Sequence, residues 1–205
     1  MPTRRRTSAP PKDARHSLIA AALDLAVEQG WRRTTMAEIA ATAKVPLDET
    51  YRIFRSKFAL LAAFRRGIDE AVLAGSVPSI NDPARDRLFE VLMRRFEALK
   101  PHRAALKVIL RDSIGDPGAL KALPGLLRSM SWMLAAAGIP NAGHRGRLAT
   151  RLVTGLYLSI LPAFFRDEGH DLGTTMAALD RRLRQTEMLV NAFAPIAARA
   201  RKSRS

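Results

Sequence analysis

Apolar side chains recur every three or four residues through almost the whole chain, and this spacing narrows the possible folds most. The first such stripe is formed by Leu18, Ala22, Leu25 and Ala26, and it stops at Gly30, a residue type that commonly follows a last helical turn. No stretch alternates apolar and polar residues as a half-buried strand does. The sequence therefore predicts an all-α fold of about nine helices.

Capping signals and helix breakers divide the chain into these helices. Thr35 and Glu38 have the spacing of a capping box, and Ser56 can cap the helix that follows it. Pro46 suits a first helical turn, whereas Pro162 lies inside a helix and predicts a kink. The expected helices cover 13–29, 35–43, 46–54, 57–74, 83–99, 101–113, 117–137, 145–168 and 174–200. The helix at 117–137 is either continuous or interrupted at residues 124–125.

The composition limits the class of protein. Of 205 residues, 47% are apolar, which is too many for a disordered chain, and cysteine is absent, which excludes disulfides and thiolate metal sites. The start has no apolar signal-peptide core, and the longest apolar run falls short of the roughly 20 residues that span a bilayer. We expect a cytoplasmic protein without integral membrane association.

Positive charge is concentrated at the two ends of the chain. The net charge is +15, and the first 66 residues carry 13 Lys/Arg against 6 Asp/Glu. Such ends favour nucleic acid or anionic lipid as partners, although a coding bias toward arginine also raises the total. The expected organisation is a basic disordered arm (1–12), a small basic helical unit (13–66), a larger helical unit (67–200) and a basic tail (201–205).

Catalytic signatures are missing from the sequence. The four histidines, His16, His102, His144 and His170, show no metal-ligand spacing, and there is neither a nucleophile elbow nor a phosphate-cradling glycine loop. The sequence therefore predicts a protein that is not an enzyme and that needs no cofactor or metal.

The first three helices are arranged as a helix-turn-helix, a unit that places its last helix in the major groove of DNA. The hydroxyls of Thr34 and Thr35 stand at the start of the second helix, where they and free backbone N–H groups can reach phosphate. The remaining candidate phosphate donors are Tyr51, Arg52, Arg55 and Lys57.

The residues of this unit resemble the TetR family of repressors. The resemblance is carried by residues 20–23, 30–40, 43–45 and 51–57. It implies an all-helical bacterial homodimer that binds a palindromic operator in double-stranded DNA and releases it when a small ligand enters the C-terminal domain. The DNA-binding domain is then 13–66, and the ligand-binding and dimerisation domain is 67–200. It also implies phosphate contacts from Thr35, Tyr51 and Lys57, and base contacts near Pro46, Leu47 and Thr50.

Several positions depart from the family pattern. Lys44 stands where the family usually has glycine; it adds a positive charge, but it strains the turn if that residue needs a positive φ. Pro46 replaces a serine and Asp48 replaces a glycine, so the first turn of the third helix is apolar and acidic. Two further departures lie at Ile53 and Phe58.

Residues 85–103 resemble, more weakly, the lipid-binding proteins of ubiquinone biosynthesis, which share the TetR fold and hold isoprenoid lipid. That resemblance implies a small-molecule ligand that is long and apolar, although each candidate contact is also an ordinary core residue type. The expected pocket residues are Met93, Phe96, Leu106, Leu110, Leu127, Met130, Met133, Leu156 and Phe164.

The segment 148–165 carries apolar residues on nearly every face, so it must be covered on more than one side. A second copy of the chain would cover it in a homodimer, whereas a central helix of a monomer is the alternative. The expected interface residues are Leu152, Val153, Tyr157, Leu161, Leu183 and Met188.

Together these features predict a ligand-responsive transcriptional regulator, more specifically a repressor, that binds palindromic operator DNA. The alternative is a lipid carrier or accessory protein on the same fold that no longer reads DNA.

Overall fold

The computed structural model describes residues 12–116, 121–169 and 171–186. No strand occurs among them, and helices account for nearly all of their regular structure, so the predicted all-α fold is confirmed. Eight helices have complete bounds, and residues 173–186 are helical as well. The helices are α1 (Lys12–Gln29), α2 (Met36–Thr42), α3 (Leu47–Ile53), α4 (Lys57–Leu73), α5 (Ala84–Leu99), α6 (Arg103–Ser113), α7 (Leu123–Ala136) and α8 (Gly143–Arg166), with a 3₁₀ turn at Lys100–His102.

Contacts divide the chain into two compact units. The first unit consists of residues 1–67 and 104–122, and the second of residues 68–103 and 123–205. Most of α6 therefore groups with the three N-terminal helices, although the sequence pattern placed it in the C-terminal domain. The functional role of each predicted domain stays a prediction.

The core of the first unit follows the stripe of α1. Leu18, Ala22 and Ala26 are fully buried, together with Ile39 of α2 and Leu60 of α4. The predicted caps are confirmed: Thr35 and Glu38 form a capping box, and the backbone N–H of Ala59 donates to Ser56 Oγ at 3.2 Å. These caps fix where α2 and α4 begin.

The core of the second unit is built on aromatic and thioether side chains. The Phe96 ring lies 5.3 Å from Tyr157 and 5.2 Å from Phe164 between ring centroids, distances at which aromatic pairs attract. Met130 and Met133 of α7 are fully buried within the same unit. The 3–4 spacing of α5 is thus a core stripe, as its sequence pattern indicated.

One group of buried polar side chains in this core consists of Asp69 of α4, Arg95 of α5 and Ser129 of α7. Arg95 Nη1 donates to one carboxylate oxygen of Asp69, and Ser129 Oγ donates to the other at 2.5 Å. Burial by itself lowers the pKa of Arg95, but the pKa is raised because Tyr157 and Asp69 outweigh burial. The polar cluster therefore joins three helices through a charged pair.

Helix α8 (Gly143–Arg166) has a buried face and an exposed apolar stripe. Leu148 and Leu152 are exposed, whereas Val153 and Tyr157 are buried within their own protomer, as is Leu183. Burial leaves these last three side chains little surface for a second copy, and their predicted interface role stays a prediction.

Two more predicted interface residues, Leu161 and Met188, differ in whether the structure describes them. Leu161 is half-buried, and Met188 lies outside the described residues. By length and composition alone, α8 could cross a membrane, a property that it shares with core helices of soluble proteins.

Helices α7 and α8 each contain a proline that bears on a predicted break or kink. Helix α7 begins at Leu123, so Pro124 lies in its first turn, where proline is tolerated, and the helix is not interrupted there. Residues 117–120, where the helix was expected to start, lie outside the described residues. Helix α8 continues through Pro162, and the kink stays a prediction.

We predict that Asp69→Ala destabilises the protein by about 3–5 kcal/mol, because it leaves the Arg95 charge buried without its partner. Urea unfolding followed by circular dichroism measures this change. Asp180→Ala is the matched control, since Asp180 pairs with Arg184 on the surface and such pairs contribute about 0–1 kcal/mol. Equal effects of the two substitutions would contradict the importance of the buried pair.

Candidate nucleic-acid interface

Helix α2 is fixed at its start by reciprocal hydrogen bonds. Thr35 Oγ1 accepts from the backbone N–H of Glu38 at 3.3 Å, and Glu38 Oε2 accepts from the backbone N–H of Thr35 at 2.8 Å. The hydrogen bond from the Thr35 hydroxyl is the main cause that holds the pKa of Glu38 below its ordinary value. Thr35 remains exposed, so its predicted phosphate contact stays sterically open.

The turn between α2 and α3 is a Schellman motif. The N–H of Lys44 donates to the carbonyl of Ala41 at 3.1 Å, and the N–H of Val45 donates to that of Ala40 at 3.0 Å. Lys44 has a φ of 55°, in the left-handed region where glycine is the usual residue. Lys44, which stands where the TetR family usually has glycine, therefore has the strained positive φ that was expected. The Lys44 side chain is exposed.

Helix α3 buries one face and exposes the other. Thr50 and Ile53 are buried within the first unit, whereas Leu47 is 44% and Tyr51 is 50% exposed. Leu47 and Tyr51 are four residues apart, so they lie on the same side of the helix. Pro46 is the exposed N-cap and makes no side-chain capping hydrogen bond.

Two of the predicted DNA-contact residues, Thr34 and Thr50, are buried. Thr34 is 2% exposed and its hydroxyl donates to the carbonyl of Gly30, while Thr50 is fully buried and its hydroxyl donates to the carbonyl of Pro46. Each hydroxyl donates to the carbonyl four residues before it, and both side chains are buried. The predicted DNA contacts of Thr34 and Thr50 stay predictions.

The acidic first turn of α3 is neutralised within the helix. Arg52 Nη2 lies 2.7 Å from Asp48 Oδ2, and Arg52 Nε donates to the Asp48 carbonyl at 3.4 Å. The hydrogen bond from Arg52 holds the pKa of Asp48 below its ordinary value. Arg52 was predicted as a free phosphate donor, but its guanidinium is engaged by this neighbouring carboxylate.

Arg55 remains as an exposed cation directly after α3, and it makes no hydrogen bond to another described residue. Together with Lys44 before the helix, it brackets the exposed face of α3 with positive charge. The phosphate contacts of Arg55 and Tyr51 stay predictions, and the exposed position of both side chains is compatible with them.

Lys57 holds the turn between α1 and α2. Its Nζ donates to the carbonyls of Trp31 and Thr34 at 2.7 and 3.1 Å, and it lies 4.9 Å from the centroid of the Trp31 ring. Partial burial lowers the pKa of Lys57. Because an ammonium has three N–H groups, one is left for phosphate, and the predicted phosphate contact stays a prediction.

The same turn is bound from its other side by α6, which the sequence analysis missed. Asp112 Oδ2 accepts from the backbone N–H of Trp31 at 2.8 Å, and Arg32 Nε donates to the Asp112 carbonyl at 2.7 Å. Arg32 Nη2 also donates to the carbonyl of Ile114 at 2.9 Å. Asp112 is 81 residues from Trp31, so no local sequence signal could have paired them.

The Asp112 carboxylate stays charged at neutral pH. The hydrogen bond from Arg111 is the largest cause that lowers its pKa, and the N–H groups of Arg32 and Trp31 add to it. A carboxyl whose pKa is lowered by folding stabilises the folded state above its ordinary pKa, and loses that contribution as the pH falls through the lowered value. The bonds to the turn therefore persist across the physiological range.

The predicted pocket residues do not all fall in one unit. Leu106 and Leu110 belong to the first unit, and Leu110 is 45% exposed, so these two are set apart from the other seven. Leu127 is half-buried in the second unit. The remaining six are buried in the second unit and are Met93, Phe96, Met130, Met133, Leu156 and Phe164.

The family of the N-terminal segment is identified by sequence comparison. Residues 18–64 match the family model described as bacterial regulatory proteins of the tetR family. These residues include α2, α3 and the turn at Trp31. The predicted resemblance to the TetR family is therefore confirmed, and this segment is a TetR-family helix-turn-helix domain. No curated protein matches the chain.

Solved structures support the fold along most of the chain. A TetR transcriptional regulator from Nitrosomonas europaea is 24% identical, with a TM-score of 0.67, and the match covers 83% of this chain and 96% of that one. A TetR transcriptional regulator from Rhodococcus is also 24% identical, with a TM-score of 0.60 and coverage of 84% and 94%. FadR of Thermus thermophilus, a TetR-family repressor solved in complex with lauroyl-CoA, is 19% identical, with a TM-score of 0.53 and coverage of 83% and 91%.

We predict that Asp112→Ala loosens the turn at Trp31, because the buried N–H of Trp31 then loses its acceptor, at a cost of about 1–3 kcal/mol. Hydrogen exchange should show faster exchange at the Trp31 amide. Asp24→Ala, at an exposed position of α1 (Lys12–Gln29), is the control and should leave that amide unchanged. An unchanged rate in Asp112→Ala would show that α6 does not hold the turn.

Proposed function

We propose that this chain, whose residues 18–64 form a TetR-family helix-turn-helix domain, is a cytoplasmic, ligand-responsive transcriptional repressor. The observation that carries the proposal is the exposed face of α3, formed by Pro46, Leu47 and Tyr51. This face belongs to the helix that enters the major groove in helix-turn-helix proteins. Lys44 and Arg55 stand beside it and provide charge for the phosphate backbone.

DNA binding by this face requires two copies of the chain if the operator is palindromic. In such complexes, the half-sites lie about one helical turn apart, roughly 34–36 Å, so the two α3 helices must have that separation. The exposed apolar stripe of α8, with Leu148 and Leu152, is the surface that we assign to the second copy. Its burial in a dimer would remove apolar side chains from water.

The effector in this proposal is a small apolar molecule bound by the second unit. The supporting observation is the buried set of aromatic and methionine side chains there, since methionine repacks readily around varied apolar shapes. The lauroyl-CoA complex of the Thermus protein provides an analogy on the same fold. Effector binding would weaken operator binding by favouring a different α3 separation.

Selection of bound fragments from random DNA, with the full-length protein, tests DNA reading directly. We expect enrichment of a palindrome and saturable binding to it. Loss of sequence selectivity, with salt-sensitive binding to all DNA and co-purifying lipid found by mass spectrometry, would contradict the proposal. That result would support a lipid carrier on this fold.

The phosphate role of Arg55 has a quantitative signature. Arg55→Ala removes one phosphate contact per subunit, so the slope of log K against log salt should become shallower by about 1.8 for a dimer, at about 0.9 per contact. Titrations of the selected operator over a range of salt concentrations measure this slope. Arg145→Ala, at an exposed position of α8, should leave the slope unchanged. A changed base preference with an unchanged slope would contradict the phosphate role.

The assignment of α8 to the dimer interface predicts that Gly155→Leu yields a folded monomer. A side chain added at Gly155 meets nothing within 4 Å in its own protomer, but it would obstruct a second helix packed on the exposed stripe. Light scattering measures the mass, and circular dichroism checks the fold. Gly67→Leu is the control, because Gly67 of α4 has equally open surroundings. If the Gly155→Leu protein is still a dimer, the interface does not lie on the exposed stripe of α8.

A further inference from the structure

The exposed residues at the start of α3 offer little hydrogen bonding to a base. Pro46 and Leu47 have no polar side-chain atoms, and the Thr50 hydroxyl is buried and donates to the carbonyl of Pro46. Most helix-turn-helix contacts to base edges are bidentate hydrogen bonds from arginine or amide side chains. Pro46 and Leu47 can therefore contribute to base recognition only through apolar contact.

The arginine of this face is held by an acid. Arg52 pairs with Asp48 at 2.7 Å, and both side chains are more than half exposed. In solution such an exposed pair is weak, and Arg52 could leave it easily. In the major groove, however, the departure of Arg52 would leave the Asp48 carboxylate unpaired beside the bases and the phosphates. DNA itself therefore favours the intact pair and opposes guanine reading by Arg52.

The charge of the face also selects against guanine. The major-groove edge of guanine presents two acceptors, N7 and O6, which need donors from the protein. The first turn of α3 presents Asp48 and Glu49, which only accept when ionised. The one apolar group on a major-groove base edge is the C5-methyl of thymine, and it needs only an apolar partner.

We propose that Pro46 and Leu47 recognise thymine C5-methyl groups in each operator half-site, and that the Asp48–Arg52 pair excludes guanine from the adjoining position. This inference rests on the proposed function, because it assumes that α3 enters the major groove. It adds the chemical class of base that the chain selects. The operator is then expected to be thymine-rich where α3 lies.

Replacement of thymine by deoxyuridine tests the methyl contact, since it removes that methyl group and leaves the base pairing unchanged. The first step selects the operator with the full-length protein, and the second replaces each half-site thymine singly. We expect about fourfold weaker binding at one or two positions, and about fifteenfold weaker binding when both half-sites are changed, from the loss of one buried methyl per half-site.

The protein variants identify the side chain. Leu47→Ala should reduce the difference between thymine and deoxyuridine operators, because Pro46 and the smaller alanine keep part of the methyl contact. Leu123→Ala, at an exposed position of α7, should keep the full difference. Leu47 is exposed, so its truncation should leave the fold intact, and circular dichroism checks this. Equal binding of both operators by the unchanged protein would overturn the inference while leaving the proposed function in place.

The role of the ion pair has its own test. Asp48→Asn removes the negative charge that restrains Arg52, so repeated selection should enrich guanine next to the thymine contact. Selection with the unchanged protein should not. An identical operator from both proteins would overturn the exclusion of guanine by the pair. If the unchanged protein selects no sequence at all, the proposed function fails, and this inference fails with it.

Discussion

The arrangement of α2 and α3 depends on the backbone of one turn, at Trp31. Its N–H donates to the carboxylate of Asp112, and its carbonyl accepts from Lys57. Gly30 makes this possible, because its φ is 89° and a side chain there would lie 3.1 Å from Asp112 Oδ2. The turn precedes α2, and α2 leads through the Schellman motif into α3. A single charged residue of α6 therefore helps to set where the exposed face of α3 lies.

The exposed face of α3 balances two opposing charge effects. An acid in the first turn of a helix is favourable for the helix dipole, by about 0.3–1 kcal/mol, but it is unfavourable beside DNA phosphates. The i,i+4 pairing of Asp48 with Arg52 keeps the first effect and neutralises much of the second. In the proposed function, positive charge for the DNA backbone is then left to residues beside the face, such as Lys44 and Arg55. The proposal thereby assigns the attraction of DNA and the distinction of its bases to different residues.

The second unit combines an apolar core with a cluster of buried charged and polar side chains. A buried pair such as Asp69–Arg95 contributes little net stability compared with apolar packing, but it penalises any arrangement that separates its partners. Asp69, Arg95 and Ser129 come from three helices, so the cluster disfavours alternative packings of α4, α5 and α7. We regard this specificity as the reason that a charged pair is retained in the core.

The sequence by itself determined the all-helical fold, most helix boundaries and the TetR-family segment, because periodicity, caps and breakers act over a few residues. It also indicated the exposed Lys44, Pro46 and Leu47. Only the tertiary structure decided that Thr34 and Thr50 are buried, that Val153 faces its own core, and that Asp112 binds the turn at Trp31. Burial and pairing between distant residues depend on how the helices pack, and 3–4 spacing does not specify which neighbour each face meets.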